Sequence, residues 1–153
     1  MKGSASIIGL LNSQLQLELT AVNQYFLHGS MYKNWGFNSL SKIELDESAE
    51  EMKHVQALID RILFLGGTPK IELGALLIGI DVQECIESDF AIERVSRETL
   101  IPAITICEIE RDFISRKLFE QILNDTEEHI DFLETQLEVI KKVGIQNWLQ
   151  SQI

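Results

Sequence analysis

Apolar residues recur at three- and four-residue steps along most of this chain, and four long stretches with that period predict four helices. The first runs from about Ser4 to Asn34, with Ile7, Leu11, Leu15, Leu19, Val22 and Phe26 on its stripe. Trp35-Gly36-Phe37-Asn38 interrupts it. The second opens near Ser39, a residue suited to N-capping, and continues through Leu65. Gly66-Gly67-Thr68-Pro69 stops that helix, since glycine and proline both favour leaving the helical path. Lys70 to Gly79 has no convincing period. Asp81 is placed to cap a third helix reaching about Glu110, within which Pro102 deletes one backbone hydrogen bond and is expected to bend the rod. A short break at Arg111 and Asp112 leads to a fourth helix ending at Gly144, a good residue for the position after a helix. The tail, Ile145 to Ile153, is expected to form a short fifth helix containing Trp148. Strand patterns are absent.

Short turns after the first and third helices make antiparallel neighbours, whereas the longer segment between the second and third allows a crossover along the bundle. The expectation is an all-α, single-domain four-helix bundle over residues 1–153, a length sufficient to bury one core. Thirteen basic against 24 acidic residues give a formal charge of −11, which argues against unassisted binding to nucleic acid or to an anionic membrane. The apolar group Ile7, Ile8, Leu10, Leu11 is too short for a secretion signal, and no run of about eighteen apolar residues occurs elsewhere, so a cytoplasmic location is expected. Cys85 and Cys107 fall on one predicted helix, roughly 33 Å apart at the helical rise, which forbids a disulfide between them.

Candidate chemistry lies in carboxylates and imidazoles set among apolar residues. Glu51 and His54 are three apart on the second helix and share a face. Glu18 stands among Leu15, Leu17, Leu19 and Val22, Glu93 follows Phe90-Ala91-Ile92, and His129 precedes Ile130 and Phe132. Burying such groups is costly unless a cation or proton compensates them. Carboxylate and imidazole together suit iron, and a bundle core that gathers them from four helices is the plan of a di-iron site. Tyr25, two turns after Glu18 on the same face, is either a neighbour of that centre or an ordinary core tyrosine. The acidic cluster Asp46, Glu47, Glu50 reads as a solvated face, with cavity-side mineral nucleation as the alternative; His28 reads as a solvent-face or channel residue without a role, and Trp35 and Trp148 as subunit contacts.

The strings Asn23-Gln24-Tyr25-Phe26-Leu27-His28, Lys33-Asn34-Trp35-Gly36, Glu51-Met52-Lys53-His54, Arg61-Ile62-Leu63-Phe64-Leu65 and His129-Ile130-Asp131-Phe132-Leu133-Glu134 resemble bacterioferritin, and the similarity extends over essentially the whole chain. The resemblance implies the ferritin-like bundle and a di-iron site with Glu18, Glu51, His54, Glu93 and His129 as five of six metal ligands. The sixth position, three residues before His129, holds Thr126, a neutral and poor iron ligand. Glu127 points roughly 200° away from His129 around the helix, while Asp125 lies within roughly 40° of its direction and is the candidate substitute, reaching a metal through a water. The position on His129 is therefore expected to be the weaker one, and ferroxidase activity of this chain alone is in question.

The same resemblance makes Met52 an axial ligand of a b-type haem shared by two subunits across a two-fold axis, where one methionine per chain supplies both sulfurs. Met52 lies about 100° around the helix from Glu51 and so faces away from the metal ligands. Further implications are a shell of twenty-four subunits with twelve haems, an Fe(III) mineral core and a small ferredoxin-type electron donor. Thr126 motivates a second reading, a haem-presenting subunit co-assembled with a second, catalytic bacterioferritin subunit. A di-iron oxygenase acting on an organic substrate is a third.

Overall fold

The computed structural model describes residues 1–153 and contains five helices: α1 Ala5–Asn34, α2 Asn38–Phe64, α3 Val82–Ile109, α4 Phe113–Val143 and α5 Ile145–Gln150. Three begin or end as local chemistry dictates. The Ser4 side chain accepts the Ile7 N–H, Asp81 accepts the Glu84 N–H, and Asp112 accepts the Ser115 N–H, each answering a first-turn donor that has no intrahelical partner. Gly144, at φ +84°, closes α4 in a conformation that costs other residues more.

One helix start and one helix end differ from expectation. Ser39 does not cap α2, which begins one residue earlier with no side-chain cap. The chain's own C-terminal end does that work: the Gln152 carbonyl accepts the N–H groups of Ser39 and Leu40, and the Ser39 hydroxyl donates to the Ile153 carbonyl. The fifth helix accordingly stops at Gln150 rather than Ile153, because the last residues are engaged with α2. Pro102 lies within α3 without ending it, and Glu93 keeps its place in the interior.

The core is divided into two apolar plugs. One gathers Ile7, Leu11 and Leu15 of α1, Leu58 and Ile62 of α2, Leu100 and Cys107 of α3, and Phe119 and Ile122 of α4. The other gathers Tyr32, Leu40, Val82, Cys85, Ile86, Leu133, Ile140 and Trp148. Chain direction follows from which end of each helix enters which plug. α1 and α4 run from the first plug to the second, α2 and α3 from the second to the first. Consecutive α2 and α3 are thus parallel, which requires the crossover to travel the length of the bundle, the ferritin-like connectivity. Cys85 and Cys107 sit in opposite plugs as free, buried thiols.

The crossover has no regular structure of its own, so its backbone donors need partners. α1 supplies them from one face, at positions spaced by multiples of four. Asn12 accepts the Lys70 N–H, Thr20 the Gly74 N–H, Gln24 the Leu77 N–H and His28 Nε2 the Gly79 N–H, at 2.8–3.1 Å. Gly79 has no alternative: a Cβ there would stand 2.3 Å from the Cys85 nitrogen. His28 is therefore not a solvent-face or channel residue but fully buried, its second nitrogen 2.8 Å from Asp89. Trp148 is likewise buried in its own chain's second plug, with its indole N–H donating to Gln136, so it is not free to make a subunit contact. No helix is long and apolar enough to cross a membrane.

Candidate metal centre

Between the plugs lies a belt of buried polar side chains, and the residues singled out in the sequence converge there. Glu18, Glu51, Glu93 and His129 are each 5% exposed or less, and His54 is 9% exposed. On one side, His54 Nδ1 stands 3.2 Å from Glu51 and 3.5 Å from Glu18. On the other, His129 Nδ1 stands 3.0 Å from Glu93 and 3.7 Å from Glu47. Donor atoms of Glu18, Glu51 and His54 fall within 4.8 Å of one another, as do those of Glu47, Glu51 and His129. Glu51 belongs to both groups, so two clusters that could each hold a cation share one carboxylate.

Surrounding side chains fix these ligands. Gln14, one turn before Glu18, donates to it at 3.1 Å and to Ser96 of α3 at 2.8 Å. The Tyr25 hydroxyl donates to Glu93, and its ring meets His129 edge-on with centroids 5.3 Å apart. Tyr25 is thus at the centre rather than elsewhere in the core. Asp125, the candidate substitute ligand, instead contacts His54: its carboxylate lies 2.7 Å from Nε2, the nitrogen turned away from Glu18 and Glu51. A carboxylate on the outer nitrogen fixes the ring and leaves Nδ1 to face the metal, a recurrent arrangement around metal-bound histidine. Thr126 is buried one turn before His129.

The electrostatics are those of a site short of positive charge. Burial, reinforced by the charges of Glu18 and Glu93, pushes the Glu51 carboxyl well above its ordinary range, so it holds a proton when no cation is present. Burial also raises Glu18, but hydrogen bonds from Glu51, His54 and Gln14 outweigh it and hold Glu18 low and ionised. For His54, burial disfavours the charged ring, yet Glu18 and Asp125 overcome this and lift its pKa to about 9. His129 moves in the same direction, with Glu93 and then Glu47 overriding burial. Burial and the Glu93 charge drive the Tyr25 phenol well upward, so it stays protonated. Protons stand where cations would, and a divalent metal entering would displace them.

Two residues of this centre escaped the sequence. Glu47, read as part of a solvated acidic face, is only half-exposed and turned towards His129; its spacing of four before Glu51 was the available signal. Gln14 sits at the same four-residue interval before Glu18. Outside the bundle, Met52 is 50% exposed on the face away from Glu51, and Phe26 is 62% exposed on the adjoining helix.

Residues 8–143 match the family model of the ferritin-like domain. The chain is 48% identical over 147 residues to the bacterioferritin of Mycolicibacterium paratuberculosis, covering 95% of this chain and 92% of that one. It is 43% identical over 151 residues to the bacterioferritin of Brucella melitensis, covering 98% and 94%. It is also 43% identical over its full length, and the full length of that protein, to the bacterial ferritin of Pseudomonas aeruginosa. The two-plug bundle with its parallel crossover, the convergent acids and imidazoles at its waist and these full-length likenesses agree, and the chain belongs to the bacterioferritins, iron-storage members of the ferritin-like proteins.

Proposed function

We propose that this chain is the subunit of a hollow, cytoplasmic iron-storage shell of twenty-four copies, and that Fe(II) is taken up at the two positions flanking Glu51 on its way to oxidation and storage as Fe(III) mineral. The observation that carries this is the convergence of Glu18, Glu51 and His54 within 4.8 Å in the buried waist of the bundle, with Glu51 shared by a second group. The two positions are unequal. Glu18, Glu51 and His54 hold one Fe(II) with every ligand in place and His54 fixed by Asp125. Beside His129, Thr126 removes a negative charge and a bridging group, so the second iron is held less firmly and paired oxidation is slowed. Tyr25 holds Glu93 through its protonated hydroxyl.

The donor chemistry at Met52 fits a haem. Its thioether is half-exposed on an outward face that also carries exposed Phe26, so a two-fold mate would bring two sulfurs to one porphyrin. Met52 of each chain would hold a b-type haem, which supplies electron transfer for mineral release from a small ferredoxin-type donor. Haem reconstitution followed by absorption spectroscopy tests this: the expected spectrum is that of bis-thioether ligation at one haem per two chains, lost in Met52→Leu. Retention of that spectrum in the variant removes the assignment.

Thr126 favours one second reading, a haem-presenting subunit mixed into shells with a partner whose di-iron site is complete. Anaerobic Fe(II) loading followed by rapid mixing with oxygen separates the two. Fast oxidation saturating near two irons per chain in the homomeric shell supports self-sufficiency; slow oxidation, with two subunit masses in native mass spectrometry of shells from cells, supports the mixed shell.

A further inference from the structure

The acid that α4 lacks beside His129 is present on α2. Thr126 occupies the position one turn before His129, and Asp125, the acid of the same helix nearest that face, is turned to His54 at 2.7 Å instead. Glu47 lies one turn before Glu51, and its Oε2 is 3.7 Å from His129 Nδ1, on the same nitrogen that Glu93 approaches at 3.0 Å. Glu47, Glu51 and His129 offer donor atoms within 4.8 Å of one another. They line a cleft of about 350 Å³ that also includes Glu50, His54, Asp125 and Glu128.

The other acids of that cleft are engaged elsewhere. Glu50 pairs with Lys53 at 2.8 Å, Asp125 with His54 at 2.7 Å, and Glu128 accepts from Asn124 at 3.3 Å. Glu127, the nearest acid after Thr126, pairs with Arg97 at 2.8 Å. Glu47 has His129 as its only basic partner. His129 is 5% exposed, and its Nε2 has no hydrogen-bond partner, so the ring is not held by an outer carboxylate as His54 is.

We propose that Glu47 is the missing carboxylate of the second position: a divalent cation beside His129 is held by Glu47, Glu51, Glu93 and His129, one ligand having passed from α4 to α2. The assignment rests on the reading of this centre as an Fe(II) site. Glu47 serves that position alone, since it is absent from the group formed by Glu18, Glu51 and His54. Its side chain is 33% exposed where Glu18's is 3%, so one ligand of the second position stays in contact with the cleft. The second cation is consequently bound more weakly and exchanges faster with the cleft, a position suited to transit rather than retention.

Anaerobic Co(II) titration of the assembled, metal-free protein tests the assignment, read by calorimetry and by visible absorption of the bound ion. Two binding events per chain are expected, the second at least about tenfold weaker, or about 1.4 kcal/mol. Glu47→Gln should abolish the second event and leave the first, Glu50→Gln should leave both, and Glu47→Gln combined with Thr126→Glu should restore the second. Size exclusion confirms that each variant remains assembled. Two events in Glu47→Gln, or one in the unaltered protein, overturn the role of Glu47 while the Fe(II) site stands. No Co(II) bound by the unaltered protein overturns the site itself, and the role with it.

Discussion

The two sides of Glu51 differ in how their ligands are supported, and the difference follows the helices that supply them. The side of His54 is built from α1 and α2, with Glu18 held by Gln14 and the outer nitrogen of His54 held by Asp125. The side of His129 draws on α3 and α4, where Tyr25 steadies Glu93 but nothing meets the outer nitrogen of His129 and Thr126 stands in place of an acid. The loss of an acid at Thr126 therefore weakens one position and spares the other, which α4 supports separately through Asp125. Because the ligands come from separate rods, a loss on one rod is open to repair from another, provided the repair shares the right face.

The largest effect is expected where the sides meet. Glu51→Ala removes the only carboxylate common to both groups, so both Co(II) binding events should weaken by more than about 100-fold, beyond the 10–100-fold typical of residues that merely support ligands. Loss of one event alone would show that Glu51 is not shared. The next effect is on pH. With a pKa of about 9, metal-free His54 carries a proton at neutral pH, and the metal must displace it. Raising pH towards 9 removes that competition and eases loss of the Glu51 proton as well, so affinity at the first position should rise by at least about tenfold per unit. A pH-independent first event would mean that His54 does not ligate through a nitrogen it must first deprotonate.

Asp125→Asn probes the same side more gently. Freed of its partner carboxylate, His54 loses its orientation, and the first event should weaken by about tenfold while the second is unchanged. Equal weakening of both would place Asp125 between the positions rather than behind one of them.

How much of this was legible depends on whether a residue's partner is near in sequence pattern. The helices were readable because Gly66-Gly67-Thr68-Pro69, Asp81 and Asp112 act on their own neighbours. Glu18, Glu51, His54, Glu93 and His129 were readable as costly residues in apolar company, and they do meet. The polar series Asn12, Thr20, Gln24 and His28 sits at multiples of four, yet its partner is the irregular backbone of the crossover, which leaves no period to match. Ser39 was misread for a similar reason, since a capping pattern does not disclose that the chain's last residues will cover the same donors. Glu47 was hidden because its role depends on the register of α2 against α4, which neither helix encodes alone.

Thr126→Glu should have the smallest effect and is the sharpest test of repair. If the side of His129 truly lacked a carboxylate, restoring one on α4 would transform it, with iron oxidation rising by orders of magnitude. With Glu47 already facing His129, the added acid instead replaces a half-exposed ligand by a buried one. Gain is then limited to the difference between the two, about three- to tenfold in second-site affinity, or about 0.7–1.4 kcal/mol. Stopped-flow oxidation of two Fe(II) per chain should accelerate by a similar factor. Unchanged rate would mean that the second position does not limit oxidation, whereas a rise beyond about 100-fold would mean that Glu47 contributes little and that the two sides are as unequal as Thr126 alone implies.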